Sequence, residues 1–305
     1  MKIGLVSSHS FLRPGGVKSH ILNLQRELKK RGHVCKIIAP RSLGEKNYGK
    51  NIILLGTSFR LMVGGSQGDL TFNFNPGAIG RLLKREKFDL LHFHNVGPLT
   101  WQILNNSHLP KINILTWHAS LEGANYFKIF PFSKNILLNT VRDKISGIIG
   151  VAPFNLDIFR SIKKQKAVIP NGINLNEFRP GAPKFKEHLD GKINILFLGI
   201  IEERKGLAYL LRAYKILEKK LGSAWVQKNL RLIILGEGPL KEESENWVKE
   251  NNLKNVVFEK RIRKGVAVAS YYATADIYCS PAIYGESFGI VLVEAMAVGR
   301  PVVAF

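Results

Sequence analysis

Cysteine, acidic residues and long apolar runs are all scarce in this 305-residue chain, and each scarcity removes a class of protein. The two cysteines, Cys35 and Cys279, both fall inside strand-like segments. That excludes a disulfide-stapled fold and any cysteine-based metal site, and it suits small core residues in a reducing compartment. The longest apolar run, about Ile193 to Ile201, is too short to span a bilayer. Lys2 follows Met1 and the chain then enters a strand-like run, so no signal peptide is expected. The GxGxxG spacing of dinucleotide binders is missing, and no repeat at solenoid periods is evident.

Carboxylates are outnumbered, with 23 Asp and Glu against 45 Lys and Arg, for a net charge of +22. The excess is unevenly placed. Residues 1 to 170 hold 25 basic and 8 acidic side chains, a net of +17, and residues 171 to 305 carry only +5. The first half therefore suits an anionic partner, such as a lipid surface or a phosphorylated acceptor. No nucleic-acid motif accompanies the charge, and nucleic acid is not an expected partner. A generally solubilising surface would leave the same imbalance.

What the chain does have is alternation. Short apolar strands near Ile3 to Ser7, Val34 to Ala39, Ile52 to Leu55, Leu90 to Phe93, Ile112 to Thr116, Gly147 to Val151 and Ala167 to Ile169 are separated by helical stretches. One such helix runs from Val17 to Lys30, with Ile21, Leu22, Leu24 and Leu28 on its apolar face and Gln25, Lys29 and Lys30 opposite. The pattern breaks at IPNGINLNEFRPGAPKF, residues 169 to 185, and restarts at Asn194. Two doubly wound α/β domains are expected, 1–170 and 171–305, facing each other across a cleft with ligands at the carboxyl ends of the strands.

Chemistry concentrates at strand ends. In YGESFGIVLVEAMAVGRP, Tyr284 to Pro301, Ser287 can cap a helix that Gly299 ends, leaving the N–H groups of Phe288, Gly289 and Ile290 free for a phosphate. Glu286 lies before that helix and Glu294 two turns inside it, and carboxylates at these places can accept hydrogen bonds from sugar hydroxyls. Arg204 and Lys205 sit at another helix start, where the dipole gives cations no support, so they point to an external anion or to balance by Glu202 and Glu203. GEGPL, residues 236 to 240, is a further strand-to-helix turn, suited equally to a nucleotide or to plain turn geometry.

In the first half, SSHSFLRPGGVKSH places Gly15 and Gly16 where backbone must approach a ligand, with His9 and Arg13 beside them. His118 ends a strand in INILTWHAS, free to orient a sugar hydroxyl or to be held by a carbonyl. His92 and His94 share a strand face, but no third histidine or carboxylate is evident nearby, and no metal site is expected. Arg81, Lys84, Arg85 and Lys87 lie on a helix with Leu82 and Leu83, a pattern that suits either docking on an anionic membrane or an ordinary exposed face.

Together PGGVKSHILNL, LTWH, IPNGIN, RKG at 204 to 206, ADIYCSP at 275 to 281 and GESFGIVLVEAMAVGRPVVA at 285 to 304 resemble the retaining family-4 glycosyltransferases of the GT-B fold. The resemblance covers nearly the whole chain. It implies a nucleoside-diphosphate sugar donor, GDP-mannose first and UDP-sugars as the alternative, with no cofactor and no divalent metal. It assigns Lys205 and Gly16 to the diphosphate, Glu286 to the sugar hydroxyls, Glu294 to the ribose, the 288 to 290 backbone to the distal phosphate and His118 to the transferred sugar. Arg204 joins the donor set, His9 and Arg13 the acceptor side. The acceptor is expected to be lipid-linked or near a membrane, which puts the enzyme in the cytoplasm, peripheral on the inner face.

Two departures stand out. The family usually has arginine straight after the strand-end glycine, where this chain has Ile200 after Gly199, so Arg204 is expected to stand in for the missing cation. Family members also continue past PVVA, so a C-terminally truncated second domain is expected, and an inactive nucleotide-sugar binder is the competing reading.

Overall fold

The computed structural model describes residues 1–11, 15–42, 48–63, 66–119, 131–259 and 267–305. It divides into two compact units, Met1–Gly172 and Ile173–Phe305.

The first unit is built on an eight-stranded sheet. Its strands are β1 (Lys2–Ser7), β2 (Val34–Arg41), β3 (Ile52–Val63), β4 (Ser66–Phe72), β5 (Leu90–His94), β6 (Ile112–Trp117), β7 (Gly147–Gly150) and β8 (Gln165–Val168). They lie in the order β4-β3-β2-β1-β5-β6-β7-β8. β1 is central and buried from Ile3 to Ser7, because helices cover both of its faces, as parallel sheets require. One face packs Ile3, Leu5 and Ile37 against Ile21 of α1 (Gly16–Lys30). The other gathers Val6, Leu91, Phe93 and Leu115 against α2 (Ala78–Glu86), α3 (Pro98–Leu104) and α4 (Pro131–Lys144). Each such aliphatic side chain contributes about 1.5–3 kcal/mol on burial.

The fold departs from expectation at three places here. The strand expected over Ile52 to Leu55 continues to Val63 and pairs with β4 in an antiparallel sense, alone among the described strands, with Thr57 opposite Phe72. On α1, Gln25 is buried rather than solvent-facing, since its amide donates to the Cys35 carbonyl at 3.1 Å, while Leu22 is exposed. An amide with a backbone partner can enter a core that an unpartnered one cannot.

The second unit carries a five-stranded parallel sheet in the order β11-β10-β9-β12-β13. Its strands are β9 (Ile193–Leu198), β10 (Leu230–Leu235), β11 (Val256–Glu259), β12 (Ile277–Ser280) and β13 (Val302–Ala304). Between them run α5 (Leu207–Leu221), α6 (Ser223–Asn229), α7 (Lys241–Glu250), α8 (Ala269–Thr274) and α9 (Ile290–Ala297). Two buried clusters flank the sheet, one around Tyr271, Tyr272 and Tyr278, the other around Tyr214, Leu232 and Ile234. In each unit the strand order reverses once beside the first strand, between β1 and β5 and between β9 and β12. Such a reversal parts the neighbouring loops and opens a crevice at the carboxyl ends of the strands.

Candidate functional site

In the second unit the crevice is formed by the loops after β9 and β12. A 3-10 turn, Glu203–Lys205, leads into α5 through Gly206, whose φ of 68° lies in the left-handed region. A Cβ there would stand 1.8 Å from the Pro281 carbonyl oxygen, so only glycine lets the two loops meet. The Ile283 N–H donates to the Arg204 carbonyl at 2.9 Å and fastens them together. Lys205 Nζ pairs with Glu286 Oε2, and Glu286 Oε1 accepts the Gly289 N–H at 3.2 Å. Lysine, glutamate and helix N-terminus, distant in sequence, thus form one contact set.

That geometry corrects the expected helix start. Ser287 is not the N-cap: α9 begins at Ile290 after Gly289, and no side chain of the N-cap residue caps it. Glu286 supplies the acceptor instead, so the Gly289 N–H is engaged rather than free. Arg204 also has partners of its own. Its Nε lies 2.6 Å from a carboxylate oxygen of the buried Glu202, and its guanidinium donates to the Gly285 carbonyl at 3.4 Å. Each cation is therefore paired with a carboxylate, Arg204 with the buried Glu202 and Lys205 with the more exposed Glu286, and the guanidinium braces the loop. The glycines of GEGPL are explained by packing, since Cβ atoms at Gly236 and Gly238 would come within 2.0 and 2.2 Å of the Gly199 and Ile201 carbonyls.

Glu294, in the second turn of α9, is 9% exposed. Burial pushes its carboxyl up to about 7, with Glu177 adding to the rise and the hydrogen bond from Tyr272 opposing it. That bond, Tyr272 Oη–H to Glu294 Oε2, is 2.8 Å long. The carboxyl is thus poised to change charge near neutrality.

In the first unit the crevice holds four histidines. His94 is the last residue of β5, His118 follows β6, and His20 projects from α1. His94 Nδ1 and His118 Nε2 are hydrogen-bonded at 3.1 Å. The His94 ring stacks between His92, centroids 4.5 Å apart, and His118, 5.4 Å apart. The His20 ring meets His94 and His118 edge-on at 5.3 and 5.0 Å. Below, His92 Nε2 bonds Thr116 Oγ1 at 2.7 Å. Asn95, in the left-handed region at φ 65°, turns its Oδ1 to accept the His118 N–H at 2.7 Å. Burial pushes His20 down to about 4 and His92 to about 3, and holds His94 and His118 well below the usual range, with neighbouring imidazoles adding to the effect. All four are neutral at pH 7.

The expectation that no third histidine completes a cluster with the His92/His94 pair therefore fails. His20 was missed because only the fold brings α1 to the ends of β5 and β6; its place in the first turns of a helix that follows a central strand was the available signal. Tyr272, the partner of Glu294, left no signal in the sequence, whereas the Arg204 pairing with Glu202 is the charge balance that the sequence offered as an alternative to an external anion.

At the first loop, His9 is half-buried. Its N–H donates to Ser7 Oγ at 3.1 Å, and Ser7 Oγ–H returns a bond to the His9 carbonyl at 2.7 Å. Burial lowers the His9 pKa, with the Asp69 carboxylate opposing. Gly15 and Gly16 are exposed at the start of α1, and a Cβ at Gly15 would meet nothing within 4 Å. Arg13 lies outside the described residues. Arg81, Lys84, Arg85 and Lys87 are exposed along and just past α2, but Ile79, Leu82 and Leu83 point into the core. The apolar stripe read beside those cations is therefore not available to a membrane. Among the described residues no helix is long and apolar enough to cross one.

Two doubly wound units, each with chemistry at its switch point, define a GT-B-like α/β protein. Sucrose-phosphate synthase from Thermosynechococcus elongatus superposes with a TM-score of 0.72 at 20% identity over 99% of this chain and 80% of that one. The Anabaena protein Alr3699/HepE, solved with UDP-glucose, gives 0.70 at 15% identity over 100% and 80%. The family descriptions "Glycosyltransferase Family 4" and "Glycosyl transferases group 1" match residues 14–177 and 180–305. The phosphatidyl-myo-inositol mannosyltransferase of Mycobacterium leprae (strain TN) is 31% identical over 315 residues, covering 100% of this chain and 78% of that protein. The chain belongs to the family-4, group 1 glycosyltransferases.

Proposed function

We propose that the protein transfers a sugar, mannose in the first instance, from a nucleoside-diphosphate donor to an acceptor hydroxyl with retention at the anomeric carbon. The observation that carries this is the contact set of Lys205, Glu286 and the Gly289 N–H at the switch point of the second sheet. Bond cleavage places negative charge on the departing diphosphate, and Lys205 with the N-terminus of α9 can stabilise it as it develops. Glu286 now sits on both of those donors, so it acts as a resident anion. When the diphosphate arrives, Glu286 yields Lys205 and Gly289 and turns its carboxylate to the sugar hydroxyls. Glu294, steadied by Tyr272, receives the ribose, and Arg204 braces the loop that carries Lys205.

On the first unit, Gly15 and Gly16 leave room for the diphosphate, and His118 orients the transferred sugar. His9 and Arg13 flank the acceptor. The mannosyltransferase relatives support a lipid-linked acceptor, and the +17 charge of residues 1 to 170, including Arg81, Lys84, Arg85 and Lys87, supports electrostatic attraction to an anionic membrane at its cytoplasmic face. GDP-mannose is the first donor to test; the UDP-glucose held by a structural neighbour makes UDP-sugars the second. Incubation with radiolabelled GDP-mannose or UDP-glucose and a lipid extract should move label into the lipid fraction, and Lys205→Ala should abolish it. Neither transfer nor slow hydrolysis of any donor by the unmodified protein would overturn the reading.

A further inference from the structure

The transfer chemistry makes no use of His20 and His94, and the structure gives them no ordinary reason to be where they are. Imidazoles are poor core material. Yet four of them meet at one crevice, and the ring nitrogen His20 Nε2 is buried without a hydrogen-bond partner. A buried nitrogen without a partner is costly, and its presence asks for a ligand that would supply one.

We propose that His20, His94 and His118 form a binding site for one divalent transition-metal ion, with Zn²⁺ the ion of best-matched chemistry. One ring nitrogen from each of the three lies within 4.8 Å of the others. A tetrahedral zinc with Zn–N bonds of about 2.0–2.1 Å sets its ligand nitrogens roughly 3.3 Å apart. His94 Nδ1 and His118 Nε2 stand at 3.1 Å, near that spacing, and a swing of each ring by roughly 35° would converge both lone pairs on one ion. The His20 ring stands edge-on to both, its centroid 5.3 and 5.0 Å from theirs, at the third corner.

The donor set selects the ion. Three neutral imidazoles without a carboxylate suit zinc and its borderline neighbours, whereas magnesium and calcium require oxygen ligands. Support comes from outside the trio as well. The His118 backbone is held by Asn95 Oδ1 at 2.7 Å, and the His92 ring, anchored on Thr116, stacks against His94. Ligands positioned in this way by neighbours lose little freedom when metal binds. The site does not depend on the transfer reading.

The test uses the full chain without a histidine tag, stripped by chelator and titrated with Zn²⁺ alone and with Co²⁺ alone. One ion per chain should bind, with visible cobalt absorption of a tetrahedral nitrogen site. His20→Asn and His118→Asn should each weaken Zn²⁺ binding by roughly 100-fold, while His108→Asn, at an exposed position, should not. His20→Asn is expected to keep the melting temperature of the metal-free protein, so its result stands even if His118→Asn does not fold. Absence of saturable binding, or equal affinity in the unmodified chain and His20→Asn, overturns the site.

Discussion

Replacing Glu286 with Gln separates two roles that one carboxylate holds in turn. In the structure it neutralises Lys205 and accepts the Gly289 N–H, so a nucleotide diphosphate must displace an anion before it binds. Two unit charges about 4 Å apart at an effective dielectric near 20 attract by about 4 kcal/mol, which is a ceiling. Fully exposed pairs are worth roughly 0–1 kcal/mol. With Lys205 and Glu286 side chains 18% and 32% exposed, the contact lies between these limits, at about 1–2 kcal/mol. Glu286→Gln should therefore tighten binding of GDP or UDP, which lack the sugar, by about 5- to 30-fold in calorimetry. Transfer should move the other way. The neutral amide makes weaker hydrogen bonds to sugar hydroxyls, and a loss of about 1.5–3 kcal/mol lowers turnover by about 10- to 150-fold. Unchanged or weaker nucleotide affinity, in a variant that melts like the parent, would refute the resident-anion argument.

Three further outcomes follow from buried or strained groups. Glu294, raised from 4.5 to about 7, binds a proton in the folded state that the unfolded chain has released, so it costs stability increasingly as pH rises from 4.5 to 7. Glu294→Gln should then raise stability at pH 8 by up to about 3 kcal/mol and change it little at pH 4, read from paired denaturant curves. The histidines behave in the opposite sense: His20 near 4 and His92 near 3 bind protons in the unfolded chain from pH 6.5 downward, so stability should fall as pH drops from 6.5 to 4. His92→Phe should flatten that slope in a circular-dichroism titration; an unchanged slope would show that the ring is not held neutral. Gly206→Ala must shift the Pro281 backbone and strain a left-handed residue, so a loss above about 1 kcal/mol and collapse of nucleotide affinity are expected from melting and calorimetry.

The alternation of strands and helices, the first helix ending before Gly32, the strand-end position of His118 and the place of Lys205 ahead of a helix were all legible, because they depend on periodicity and on residues that punctuate local backbone. The hairpin of β3 and β4 was not. Its second strand, Ser66–Phe72, carries Gly68 and Asp69, residues of poor strand propensity, and forms because β3 offers a free edge. The start of α9 was misplaced by two residues for a related reason. Ser287 has the better intrinsic capping chemistry, but Glu286 is drawn to Lys205 from a loop 81 residues away, and the helix begins where that carboxylate can reach an N–H.

Composition and order along the chain were enough to determine two α/β units, a basic first half and a pair of glutamates about a helix. All of these follow from local propensity and from counts. Only the tertiary structure decided which partners those residues have: Glu286 with Lys205, Glu294 with Tyr272, Arg204 with Glu202, and His20 with His94 and His118. Apart from Arg204 and Glu202, which are two residues apart in one loop, these pairings join elements that are separate along the chain, and no pattern of neighbours in one dimension records a distance set by the crossing of strands.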